Sequence, residues 1–212
     1  MSNLSAQISK QINKLKLSLC LVFIVFLGYF IFCLPNPLFD SSYSKVLEDE
    51  HGHLLSASIS EDGQWRFPPI DTLPHKFEQA ILHFEDKRFY SHLGVDILRL
   101  AKAIQQNISE WKVVSGASTI SMQVIRLSTP KNRTLKNKLI EIIKALRLET
   151  SYSKEAILKL YASHAPFGGN VVGLEAASWR YYGKKPALLS WSEAATLAVL
   201  PNAPSLIHLG KN

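Results

Sequence analysis

Acidic residues are missing from the first 39 positions, and cysteine is missing from everything after Cys33. The second absence excludes a disulfide framework for most of the chain. Cys20 and Cys33 share one apolar run, and thirteen helical residues would hold them ~20 Å apart, beyond bridging distance. The rest must fold on its core alone, as a periplasm-like compartment permits but does not require. Charge is absent between Lys16 and Asp40, and residues Leu17 to Leu34 would rise ~27 Å as a helix, close to the hydrocarbon thickness of a bilayer. This run predicts a membrane span. A cleaved signal peptide is disfavoured because the run exceeds a typical h-region and FIFCLPNPLFD lacks a small-x-small cleavage pattern. With Lys10, Lys14 and Lys16 ahead of the span, the positive-inside rule expects a cytoplasmic N-terminus and residues 35 onward outside.

What remains is enough for one domain: the chain has 212 residues, 47% of them apolar. A βαβ rhythm, an internal repeat and low-complexity tracts are all missing. From Ser44 to Phe67, Leu55, Ala57 and Ile59 alternate with Ser56, Ser58 and Ser60, between turn signals at His51-Gly52 and Asp62-Gly63. The pattern predicts a small β unit that pairs with something else, because an isolated hairpin is marginal in water. After Pro68-Pro69 the signals are helical. Asp71 or Thr72 is the expected cap of a first helix, with Pro74 in its first turn and Phe77, Ile81 and Phe84 on one face. Asp96 is the expected cap of a second helix carrying Leu100 and Ile104. Thr134 opens another, with Leu135, Leu139, Ile142 and Leu146 as its buried stripe, and Ser153 opens one more. Ser190 to Glu193 reads as a capping box for a helix that Pro201 stops.

Three features carry chemistry. Glu85 and Asp86 precede Lys87 and Arg88 near the end of the first helix, and local pattern leaves a catalytic pair and a solvated helix end both open. Between Arg126 and Arg147 stand seven basic residues, Arg126, Lys131, Arg133, Lys136, Lys138, Lys144 and Arg147, with Glu141 the only acid. Such a cluster suits a polyanion or forms a solvated face, and the expected topology excludes nucleic acid in favour of phospholipid head groups or lipid-linked sugar diphosphates. Glu141 shares a face with Lys138 and is either a charge balancer or a catalytic acid. In SGASTISMQ, residues 115 to 123, Ser118, Thr119 and Ser121 crowd hydroxyls at a helix start, fit for anion binding or for ordinary capping. The histidines His51, His53, His75, His83 and His164 show no metal-ligand spacing.

Five ordered blocks, EDKRFYSHLGVD, GASTISMQ, RTLKNKLIE, KEAILKLYASHAPFGG, and AASWRYYGK followed by LSWSEAATLAVLPNAPS, together resemble peptidoglycan glycosyltransferase family 51. This is the transglycosylase domain of class A penicillin-binding proteins and monofunctional transglycosylases. The APFGG and LPNAPS wording is most similar to the penicillin-binding protein 1C branch. The resemblance, from about Leu73 to Ser205, implies a mostly α, lysozyme-like domain with a membrane-proximal jaw. The expected organisation is a cytoplasmic tail over 1–16, a transmembrane signal-anchor over 17–34, a short β segment over 35–70 and the glycosyltransferase domain over 71–212. It implies lipid II and the growing glycan strand as substrates, polymerisation into β-1,4-linked strands, and release of undecaprenyl diphosphate at a bacterial inner membrane. Other cell-wall synthesis proteins are possible partners by the same resemblance. Glu85 matches the general base and Glu141 the second family glutamate, at the leaving group or on a divalent ion, magnesium or manganese. Ser118, Thr119, Gln123, Arg126, Arg133 and Lys138 match the donor side, Arg126, Arg133 and Lys138 as holders of the diphosphate. His92 and Gly94 match positions read as structural.

The chain departs from the family pattern where Met122 replaces the first of two glutamines, Asn137 stands where an arginine is usual, and Ala162-Ser163 replaces Leu-Asn. These changes lead to an expectation of lowered activity rather than none. Ser42 to Lys45 and Ser151 to Lys154 spell serine-x-x-lysine, but no Lys-Thr-Gly or Ser-x-Asn accompanies them, so no transpeptidase is expected. The end at Asn212 reads as a truncation relative to longer family members. Two other readings are a non-catalytic lipid II-binding remnant and a hydrolase using water, the latter disfavoured because a glycosidase has no phosphate to neutralise.

Overall fold

The structure, a computed structural model, describes residues 2–112 and 116–202, with side chains from residue 11 onward. It divides into two units, residues 1–38 and 39–212. The first contains α1, Ser2–Phe32. Residues Gln11–Phe32 make the one helical stretch, among the described residues, long and apolar enough to cross a membrane, and none of it is buried. At 1.5 Å per residue its 22 residues rise ~33 Å. An apolar surface on every side is what a lipid-facing helix requires. The expected tail over 1–16 is helical from Ser2, and α1 stops at Phe32, short of the predicted Leu34. Pro35 explains the stop, because the residue before a proline is pushed out of the α region.

The second unit is mostly helical. It starts with the hairpin β1, Val46–Glu48, and β2, Leu54–Ala57, paired antiparallel with Leu47 opposite Ser56. The Asp49 carboxylate closes the turn by accepting the amides of His51 at 2.9 Å and His53 at 2.7 Å. After a second turn at Gly63, β3, Trp65–Arg66, leaves this hairpin and runs parallel to β4, Val171–Val172, inside the helical body. The partner expected for the β unit is therefore supplied within the chain.

Helix α2, His75–Glu85, begins at Pro74, which is its N-cap and has no side-chain cap bond, so neither Asp71 nor Thr72 caps it. Phe77 and Ile81 are fully buried, but Phe84 faces solvent. Asp96 caps α3, Ile97–Ser109, by accepting the Arg99 amide. Thr119 caps α4, Ile120–Ser128, whose residues from Ile120 to Ile125 are all buried. A helix buried on every side belongs at the centre. It packs on α5, Leu135–Ser151, and on α6, Lys154–His164, which Thr134 and Ser153 cap. Then follow α7, Leu174–Tyr182, and α8, Trp191–Val199, the latter with the Ser190/Glu193 capping box and packed on α2.

The predicted stripe of α5 is corrected. Leu135 is 88% exposed and Leu139 63%, while the contact with the core is made by Ala145 and Leu148. The spacing is helical, but the buried strip is rotated around the helix axis from the predicted one, to Ala145 and Leu148.

Candidate active site

Glu85 is the last residue of α2 and is 4% exposed. Gln123 Nε2 donates to Glu85 Oε2 at 2.7 Å, and the Asn202 amide donates to Oε1. Burial pushes the Glu85 carboxyl above the usual carboxylate range, against the Gln123 donor, the Arg99 and Arg126 charges and the Asn202 amide, all of which favour the ionised form. Tyr161 lies close enough that the Glu85 charge, after burial, adds to the upward shift of its phenol, and its hydroxyl is buried without a partner among the described residues.

Asp86, next along, is turned away from this carboxylate. It accepts the Ile120 amide at 3.1 Å, at the first turn of α4, and the His92 Nε2 proton at 3.0 Å. Thr119 accepts the Met122 amide and donates to the Gly94 carbonyl at 2.6 Å. Gly94 has φ +82°, and a Cβ there would come within 2.7 Å of the Ala145 carbonyl oxygen. A second polar chain braces the same turn. Ser121 donates to the Glu149 carboxylate, which pairs with Lys154 at 2.8 Å. Lys154 Nζ also donates to the His92 carbonyl at 2.6 Å and sits 4.2 Å from the centre of the Phe89 ring.

Glu85 opens into a cleft of about 600 Å³ lined also by Arg99, Ser118, Gln123, Arg126, Arg133, Lys138 and Glu141. Seven of the eight residues singled out in the sequence thus share one cavity. Thr119 does not line it, because its hydroxyl is used in capping α4 and holding Gly94. Helical spacing assembles the walls: Gln123 and Arg126 lie three apart on α4, and Lys138 and Glu141 three apart on α5. Lys138 Nζ bridges Ser118 Oγ at 2.7 Å and Glu141 Oε1 at 3.0 Å. Burial lowers the Lys138 ammonium, opposed by Glu141 and reinforced by Arg126 and Arg133.

Six cationic side chains line the cleft against two acids. Among the described residues Arg126, Lys131 and Arg133 make no salt bridge. The first turn of α5 lines the cleft as well, and its amides add to the positive field. A ligand with concentrated negative charge fits this wall. A metal does not find a complete site: no group of three His, Cys, Asp or Glu side chains stands together among the described residues. Glu141 alone could offer a carboxylate to a divalent ion that draws its other ligands from phosphate and water, as magnesium commonly does.

A family model described as transglycosylase matches residues 51–212. The chain belongs to the transglycosylase family. Penicillin-binding protein 1C of Escherichia coli (strain K12) is 43% identical over 175 residues, 82% of this chain and 23% of that protein. Penicillin-binding protein 1F of Bacillus subtilis (strain 168) is 34% identical over 195 residues, 89% of this chain and 27% of that protein. Biosynthetic peptidoglycan transglycosylase of Pasteurella multocida (strain Pm70) is 35% identical over 201 residues, 94% of this chain and 80% of that protein. The chain spans about a quarter of the length of the two penicillin-binding relatives.

The departures from the transglycosylase pattern have distinct structural settings. Met122 is buried in the core, away from the cleft. Asn137 lines the cleft, and its amide donates to the Asn132 carbonyl at 2.8 Å, so it pins the loop before α5 where an arginine would add charge. Ser163 is buried and accepts the Ile70 amide at 3.3 Å, tying α6 to the segment before α2. Sequence reasoning missed Arg99 and Asn202, both of which touch Glu85. Asn202 lies within the quoted LPNAPS block, whose Ala203 to Ser205 fall outside the described residues, as do Val113 to Ser115.

Proposed function

We propose that this chain is a peptidoglycan glycosyltransferase that polymerises lipid II into β-1,4-linked glycan and releases undecaprenyl diphosphate. The observation that carries the reading is a single cleft holding a buried, hydrogen-bonded carboxylate and an excess of cations. Glu85 accepts the proton of the acceptor 4-hydroxyl as its oxygen bonds to the donor's anomeric carbon. The bond from that carbon to the diphosphate oxygen breaks, and the electron pair leaves on the diphosphate. Attack from the opposite face inverts the anomeric centre. Arg126, Arg133 and Lys138 neutralise the departing charge, so no protonated acid is needed there. Gln123 and Asn202 fix the direction of the base. Glu141 holds Lys138 in place and, with diphosphate oxygens, would hold a divalent cation that adds further neutralisation.

The same reading places α1 in a bacterial inner membrane with the N-terminal lysines on the cytoplasmic side and the catalytic unit outside. Exposed Leu135 and Leu139 on α5, and Ile97, Leu98 and Ile108 on α3, support a membrane-proximal jaw. The test is stoichiometry. Detergent-purified protein given labelled lipid II should release one undecaprenyl diphosphate for each new linkage in a lengthening glycan. Release without polymer would make water the acceptor, and binding without release would make the chain a lipid II-binding remnant.

A further inference from the structure

We propose that Arg99 is a positioning residue for Glu85, holding the end of α2 and keeping the base anionic in its buried site. The proposal rests on Glu85 being the general base. Arg99 is on α3, three residues after the cap Asp96, and it lines the catalytic cleft. Its Nη1 donates to the Glu85 main-chain carbonyl. That carbonyl is the last of α2 and has no partner further along the helix, since the chain turns away at Asp86. The guanidinium therefore closes an open helix end and sets a positive charge at its negative pole.

The neighbours leave Arg99 free for this task. Arg88 grips Asp96 in a bidentate pair at 2.6 and 2.9 Å, and the remaining role of Asp96 is to accept the Arg99 amide at 2.9 Å. Among the described residues Arg99 makes no salt bridge, so the charge it sets beside Glu85 is not taken up in an ion pair with another carboxylate. The other groups facing Glu85 are Gln123 and Arg126 from α4, Asn202 after α8 and Tyr161 from α6, with Lys138 and Glu141 of α5 sharing the cleft. Of these, Arg126 also acts on Lys138 together with Arg133, whereas Arg99 is the cation that bonds the Glu85 main chain directly.

The test compares the full chain with Arg99→Met and Arg99→Lys, each checked for folding by circular dichroism. Carbon-13 carboxyl titration should show Glu85 ionising about one pH unit higher in R99M. With lipid II, kcat on the acid limb, below the Glu85 titration, should fall about tenfold at a given pH with KM within about twofold, because the limb moves up with the titration. R99K, which keeps the charge, should recover most of the rate. An unchanged Glu85 titration in folded R99M overturns the proposal, and so does a rise in KM alone, which would assign Arg99 to a substrate anion instead. If the parent makes no polymer, the polymerase reading falls, while the titration still decides whether Arg99 governs Glu85.

Discussion

Lys154→Met should be among the most destabilising single changes in the catalytic unit, although Lys154 does not line the cleft. Its ammonium meets Glu149 at 2.8 Å, the His92 carbonyl at 2.6 Å and the face of Phe89 at 4.2 Å, with side-chain exposures of 20% for Lys154 and 3% for Glu149. Removing one partner of a buried ion pair costs about 3–5 kcal/mol, because the other charge stays buried and uncompensated. Lys154 is partly exposed and Ser121 still donates to Glu149, which place the loss near about 3 kcal/mol. For a domain of this size that corresponds to about 10 °C in Tm. The assay is a double-mutant cycle by urea unfolding with K154M, E149M and the pair. Replacing both by apolar side chains removes the orphaned charge, so the double variant should be no worse than K154M, with a coupling energy of at least about 2 kcal/mol. K154M within about 1 kcal/mol of the parent, or zero coupling, would refute the reasoning.

Four further outcomes are expected. Because burial raises the Glu85 carboxyl, polymerisation should fail on acidification at a pH above the ordinary glutamate value of about 4.3, as kcat/KM against pH will show. The same raised value means that the ionised form costs stability: E85Q should melt above the parent at neutral pH, and the gap should close as pH falls through the folded value toward the unfolded one. Gly94→Ala should cost at least about 2 kcal/mol in chemical denaturation, from its φ of +82° and the Ala145 carbonyl in the way. R126M and R133M should each raise the lipid II concentration needed for half-maximal rate about tenfold, and added salt should weaken the parent more than either variant.

The elements legible in the sequence are those set by local hydrogen bonding. Asp96, Thr134, Ser153 and Ser190 were expected caps, and each side chain accepts the amide three residues on. Spacing also showed that Lys138 and Glu141 would meet on one helix face. What sequence could not show was which apolar face finds a partner. Leu139 and Phe84 continue good helical stripes yet stay exposed, while on α5 the buried positions are Ala145 and Leu148. Thr119 looked like a ligand donor and is a cap, since its hydroxyl is used up by Met122 and Gly94. Asn202 reaches Glu85 across 117 positions, a contact that only the packing of α8 on α2 creates.

The most direct measurement compares parent and Glu85→Gln protein, purified in detergent and confirmed folded, on labelled lipid II with a divalent cation, with the products resolved on a glycan gel. Polymer from the parent and none from E85Q is the expected result, since the amide keeps the shape of the site but cannot take the proton. Polymer from E85Q at the parent's rate would contradict Glu85 as the base and the reading of the cleft built around it.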